Sequence, residues 1–163
     1  MKVQHEINRS GTTTTWLTPP DIIKSLGEFD LDPCTPPVMP WPTAKNRFTE
    51  SDNGLIQEWY GRVWLNPPYG KLMPAFLEKM ALHNNGIALT FNRTETEQFH
   101  KWVFPFASAL LFKKGRIHFL NNEGKKVGNG SGCGSVFIAY NEENAYALLN
   151  SGIKGKFIPL RSF

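Results

Sequence analysis

Arg62-Val63-Trp64-Leu65-Asn66-Pro67-Pro68-Tyr69-Gly70 is the stretch from which the fold reads outward. Arg62 to Leu65 predicts a short buried strand. The two prolines after Asn66 cannot continue a ladder, because each fixes φ and lacks an N–H donor. The strand therefore stops in a stiff turn, at the place where open α/β sheets bind ligands, just outside the carboxyl ends of their strands. Such a turn is expected to aim the Asn66 amide, prolyl carbonyls and the Tyr69 ring into one small space. A planar group carrying an NH2 suits that space: the oxygens accept its two hydrogens and the ring stacks on its face. Asn-Pro, Pro-Pro and Tyr-Gly also build ordinary turns. The apolar strand directly before them is what favours a site.

Outward from this point, strands and helices alternate. Thr18 as N-cap, Pro19 in the first helical position and Gly27 as terminator predict a helix carrying Ile22, Ile23 and Leu26. Phe29 to Leu31 reads as a strand reaching Asp32, and residues 35–47 as an irregular proline-rich loop. Leu55 to Trp59 suits a helical turn. Leu72, Phe76, Met80 and Leu82 carry helical spacing over Leu72 to His83, closed by Asn84-Asn85-Gly86. Ile87 to Phe91 reads as a buried strand and Glu95 to Phe104 as a helix. Ala109 to Phe112 and Arg116 to Leu120 look like an antiparallel pair joined by Lys113-Lys114-Gly115. A Gly- and Asn-rich loop over 121–134 precedes a strand at Ser135–Tyr140, a helix at Glu142–Leu149 and a last extended piece containing Phe157-Ile158-Pro159. The class is α/β: a mostly parallel central sheet with a late antiparallel hairpin.

With 163 residues, 40% hydrophobic and 20% charged, the chain is expected to form one domain over residues 16–163 behind a flexible polar arm, residues 1–15. No apolar run reaches membrane-spanning length. Cys34, Cys133 and four scattered histidines show no metal-site spacing, so no metal is expected and the thiols are read as free. A net charge of +4 makes a polyanion a plausible partner. The cations gather as Lys113, Lys114 and Arg116, as Lys125 and Lys126, and as Lys154, Lys156 and Arg161. These clusters are either solvated faces or phosphate contacts. Oligomeric state is not legible.

Asn-Pro-Pro-Tyr after a strand resembles the catalytic motif of S-adenosylmethionine-dependent methyltransferases that act on exocyclic or amide nitrogens. Taken in order with Trp16-Leu17-Thr18-Pro19-Pro20, Phe29-Asp30-Leu31-Asp32-Pro33-Cys34 and Arg93-Thr94-Glu95-Thr96, it resembles the small phage-type DNA N6-adenine methyltransferases. That resemblance implies a minimal Rossmann-like class I sandwich, S-adenosylmethionine as cofactor, DNA as partner, methylation of a flipped-out adenine at N6, and a cytoplasmic location. It implies catalytic roles for Asn66, Pro67, Pro68 and Tyr69. Cytosine N4, RNA, protein glutamine and a binding-only remnant are the other readings that the motif admits.

For the cofactor, the resemblance points to Thr18, Pro19, Asp32, Cys34 and Asp52. Three of these also have a structural role available to them: Thr18 as a helix cap, Asp32 and Asp52 as turn residues. Asp30 alternates with Asp32, so the two cannot face one pocket, and Asp32 lies nearer the strand end. For the nucleic acid, it points to Arg93, Thr94, Arg116 and Phe119, where Thr94 can equally cap a helix and Phe119 is more readily core; the charge clusters add Lys113 and Lys114 as phosphate contacts. Two departures from the common pattern stand out. Pro33-Cys34-Thr35-Pro36-Pro37 replaces a Gly-rich loop, and the interval from Asp32 to Asn66 is too short for two βα units. No separate target-recognition domain is expected. Sequence reading is expected from the arm and the loops at 35–47 and 121–134.

Overall fold

The computed structural model describes residues 5–7, 13–128 and 130–163. Nine strands are present among them: β1 (His5–Ile7), β2 (Thr13–Thr15), β3 (Leu31–Asp32), β4 (Asn46–Arg47), β5 (Val63–Leu65), β6 (Gly86–Phe91), β7 (Ala109–Lys113), β8 (Ser135–Tyr140) and β9 (Gly155–Pro159). The helices are α1 (Pro20–Ser25), α2 (Met73–His83) and α3 (Glu142–Leu149), with a π-helical turn at Phe99–Val103. Much of the expected arm lies outside the described residues. Its described pieces, β1 and β2, pair antiparallel.

The other strands form one mixed sheet in the order β4-β3-β5-β6-β8-β7-β9. Strands β4, β3, β5 and β6 are mutually parallel, and β8 is antiparallel to both β6 and β7. Hence β7 runs the same way as β5 and β6. Their carboxyl ends, together with that of β3, open on one rim. Strands β8 and β9, which run the other way, begin there.

Both faces of the central strands β5, β6, β8 and β7 are covered, which is why these read as continuous apolar runs, while the edge strands β4 and β9 are largely exposed. Val63, Leu65, Ala88, Leu110, Val136 and Ile138 pack with Phe76, Leu77 and Met80 of α2 and with Phe99 and Val103 of the π turn. On the opposite face Trp64, Ile87, Leu89, Leu111 and Phe137 pack with Ile23 of α1 and with Ala145 and Leu148 of α3. The period of two along each strand divides its side chains between these two cores.

Several boundaries differ from the sequence reading. Thr18 does not cap α1: Pro19 occupies the N-cap position, and no side chain caps the helix. The Thr18 hydroxyl is engaged elsewhere. Residues 35–47 contribute a short edge strand, β4, that pairs with β3. The expected strand at 116–120 is absent. The chain turns at Gly115 (φ 73°) and crosses as an extended segment, with Ile117 and Phe119 buried in the second core and only Leu120 making isolated bridges, to Leu17 and Lys126. The antiparallel partners of β7 are therefore β8 and β9. The helix expected over Glu95–Phe104 narrows to residues 97–103, the last five of them π-helical, and the helical turn expected at Leu55–Trp59 is present as a turn over 54–56. Between Asp32 and Asn66 there is no helix, which agrees with the short interval.

The end of the sheet remote from that rim is tied by Arg62. Its guanidinium donates to the Asn144 side chain (2.7 Å) and to the carbonyls of Leu26 (2.8 Å) and Glu28 (2.9 Å), and it lies over the Phe29 ring. Replacing Arg62 by Ala removes all three hydrogen bonds and strands the Asn144 oxygen. A loss of about 2–4 kcal/mol in urea unfolding is expected.

A closed polar site at the strand ends

Strand β5 delivers Asn66 to the rim, where the side chain is only 4% exposed. Its Nδ2 donates to Thr18 Oγ1 (3.1 Å), and its backbone carbonyl accepts from the Cys34 thiol (3.1 Å). Thr18 lies on an extended segment fixed by two reciprocal hydrogen bonds between Leu17 and Leu120. Pro67 and Pro68 are buried, and Gly70 (φ 103°) releases the chain towards α2. Only a residue without Cβ takes that conformation without strain. Burial raises the pKa of the Cys34 thiol further above its ordinary range, as does the neighbouring Asp32, so Cys34 is held here as a hydrogen-bond donor and not as a thiolate.

Asp32 ends β3 and is 4% exposed. Its carboxylate accepts from the Thr43 hydroxyl (2.5 Å) and the Cys34 N–H (3.2 Å). Desolvation pushes its pKa from 3.8 to about 6, against the lowering effects of Thr43, Cys34 and Arg47. Trp41 Nε1 donates to the Thr18 carbonyl (3.1 Å), which lays the 39–43 segment across the site. What remains between Leu17, Thr18, Asp32, Cys34, Thr43 and Asn66 is a cavity of about 10 Å³. That is room for a single water at most.

Tyr69 lies elsewhere. Its ring stacks on Phe91, with centroids 4.3 Å apart and planes 10° from parallel. The pair lines a cleft of about 330 Å³ with Met73, Thr90, Arg93, Thr96, Gln98 and Phe99. The expected single space for amide and ring is thus two spaces. The period of two explains part of this: Leu65 belongs to the α2-side core, so Asn66 turns to the α1 side. The buried prolyl turn then returns Tyr69 to the α2-side core.

The other anticipated residues divide. Arg93 lines the Tyr69 cleft, exposed, and Thr94 is half-buried beside it in sequence. Neither Thr94 nor Thr96 caps the π turn through its side chain. Pro19, half-buried, serves as the N-cap of α1. Asp52 is exposed and closes its own turn, accepting from the Thr49 N–H (2.7 Å) and hydroxyl (2.9 Å), which lower its pKa. It does not line the Asp32 cavity. Phe119, 2% exposed, packs on Trp16 and is core, so its ring does not reach a base in this conformation. Lys114 and Arg116 are exposed and Lys113 half-buried.

The structure adds residues that the sequence reading did not single out. Thr43 and Trp41 sit in a proline-rich loop with no period to mark them, and Phe91 looked like an ordinary strand residue. Lys154 and Lys156 join Lys113 and Lys114 because β7 and β9 pair, with Phe112 opposite Lys156 and the Lys114 N–H donating to the Lys154 carbonyl (2.8 Å). Clusters some forty positions apart in sequence make one basic edge, and none of these four lysines is in an ion pair among the described residues. Nor do those residues hold a group of three or more His, Cys, Asp or Glu side chains suited to a metal, or a helix long and apolar enough to cross a membrane. Cys34 and Cys133 are free thiols.

A mixed α/β sheet that gathers an amide, a carboxylate and a prolyl turn at the carboxyl ends of parallel strands has the architecture of an α/β enzyme with a strand-end site. The family model for DNA N-6-adenine-methyltransferase (Dam) matches residues 8–154, and the chain belongs to that family: it is a DNA adenine methyltransferase. No curated protein and no solved structure matches it.

The raised pKa of Asp32 has a definite sign. Because the folded value lies above the unfolded one, the fold is favoured while Asp32 is protonated. That contribution is full below pH 3.8 and is lost as pH rises through about 6. Asp32→Asn should therefore stabilise the protein at pH 7.5 by roughly 1–3 kcal/mol. The gain should vanish near pH 3.5, as read from urea unfolding at the two pH values.

Proposed function

We propose that the protein methylates adenine N6 in DNA from S-adenosylmethionine, with the target base turned out of the helix towards the Asn66–Tyr69 turn. The observation that carries this reading is the placement of Asn66: a carboxamide buried at the end of a central strand, hydrogen-bonded to Thr18 within a cavity that Asp32 also lines. The strand order, with β8 reversed between β6 and β7, is compatible with a Rossmann-like class I methyltransferase sheet that lacks the helices usual between Asp32 and Asn66.

The donor set fits the polar end of the cofactor. Asp32, ionised for the most part at neutral pH, suits an ammonium, and the Thr18 hydroxyl suits a carboxylate. Pro19 and Cys34 hold these two in place from either side. The room beside them does not suffice while Thr43 and Trp41 cover it. Clefts of about 500 and 530 Å³ flank this covering segment and share Thr43 with the closed cavity. Outward movement of residues 39–43 would join these spaces. When bound, the cofactor supplies an electrophilic methyl group.

The chain's own residues do the rest. Adenine N6 is a weak nucleophile because its lone pair is delocalised into the ring. Transfer to it requires the closed cavity at Asn66 to open towards the separate cleft that Tyr69 lines. Accepting the two N6 hydrogens on Asn66 Oδ1 and the Pro67 carbonyl then favours rehybridisation and stabilises the positive charge that develops, an effect worth a few kcal/mol per well-placed partner. Pro68 stiffens the turn, and Tyr69 holds the base by stacking at about 1–3 kcal/mol. Unstacking the base costs a few kcal/mol. Arg93 and Thr94 wall the receiving side. Lys113, Lys114 and Arg116, joined by Lys154 and Lys156 on the same rim, supply phosphate contacts. A cytoplasmic location suits such a substrate.

Incubation with labelled methyl donor and unmethylated DNA, followed by nucleoside mass analysis, is expected to yield N6-methyladenine. Recovery of N4-methylcytosine instead, or of no product, would overturn the assignment. Asn66→Ala should abolish product while cofactor binding persists. Cofactor affinity, measured by calorimetry, should weaken about tenfold per pH unit below pH 6 as Asp32 protonates. In a salt titration of DNA association, replacing Lys114 and Lys154 by Ala should lower the log–log slope by about 2.

A further inference from the structure

We propose that Phe91 is a positioning residue of the active site: it fixes the ring of Tyr69 as the platform on which the target base stacks. This inference rests on the proposed function and adds a residue to it.

Phe91 is the last residue of β6, a strand hydrogen-bonded to β5 on one side and β8 on the other, with Phe91 opposite Ser135. The ladder with β5 ends at Ala88, so at Phe91 the backbone is held through β8 alone. Tyr69 lies outside the ladders, on the turn between Pro68 and Gly70 (φ 103°), partly buried against the α2-side core. A ring on a rigid element therefore orients a ring on a loop, which is how a binding group is held to a productive geometry without paying ordering entropy on each encounter. The near-parallel planes (10°) at a centroid distance of 4.3 Å put Phe91 over one face of Tyr69. A base can stack only on the other. Phe91 therefore sets both where the platform lies and which side receives the base. The adjoining cleft of about 330 Å³ has the scale of a small-molecule pocket and carries Thr96, Gln98 and Arg93 as polar lining. Half-buried at the rim, Phe91 can be altered with little loss to either core.

The opposite account is that Phe91 parks Tyr69 away from the base and must release it. The two accounts predict opposite signs. As a platform, Phe91→Ala should lower kcat/KM on DNA about 3–10-fold, mainly through KM, and lower the fluorescence of 2-aminopurine placed at the target position. Phe91→Tyr should restore both. In a double-mutant cycle, Phe91→Ala added to Tyr69→Ala should cost nothing more, since its effect passes through that ring. Unchanged or faster turnover, or additive losses, would overturn the proposal. NMR of tyrosine-labelled protein tests the stacking without any turnover. The ring-current shift of Tyr69 should collapse in Phe91→Ala and persist in Phe91→Tyr, and a shift indifferent to residue 91 would also overturn it. Absence of N6-methyladenine from the unaltered enzyme, with the ring-current result intact, would instead refute the proposed reaction.

Discussion

Strand β5 is covered on both faces. Val63 and Leu65 go into one core and Trp64 into the other, all three essentially without exposure. Nothing polar can leave such a strand sideways without burying an unpaired group. The first residue able to carry chemistry is therefore the one at its end, Asn66, and the two prolines behind it prevent the ladder from extending past it. The parallel strands beside β5 obey the same constraint. Asp32, Asn66, Arg93 and the 113–114 lysines follow one another along a single rim because the sheet has no other place for them.

That rim holds a small hydrogen-bonded unit assembled from remote pieces of chain. Thr18, Asp32, Cys34, Trp41, Thr43 and Asn66 are linked through side-chain and backbone groups within a space that excludes solvent. Low local polarity strengthens each of these bonds and also makes an ionised Asp32 costly, hence a pKa near 6. A buried acid with a raised pKa at the mouth of a strand is a candidate functional group, in line with the role proposed for Asp32. In this arrangement the Thr43 hydroxyl satisfies the carboxylate, as a cationic ligand would.

A good part of this was legible beforehand. The buried strands at Val63–Leu65, Gly86–Phe91 and Ser135–Tyr140 showed as apolar runs. The helix at Met73–His83 showed as a helical period stopped by Asn84, which takes the left-handed conformation (φ 53°). The prolyl turn after Leu65 showed from backbone chemistry alone. The misses have physical reasons. Arg116–Leu120 alternates like a strand because one side of it is buried, yet it has no strand beside it to pair with for its full length. Thr18 has the composition of a helix cap, yet its hydroxyl faces the side chain of a residue 48 positions on.

Local chemistry, written into the sequence, determined where the elements stop: prolines remove donors, glycine and asparagine accept positive φ, and apolar runs must be buried. Which side chains meet was decided only by the tertiary structure. The pairing of β7 with β9 merged two basic clusters, the period of two at β5 sent Asn66 and Tyr69 to separate cavities, and the fold of the 39–43 segment brought Thr43 onto Asp32. Such contacts depend on sheet order and register, and these are set by the burial of both faces at once rather than by any single stretch of residues.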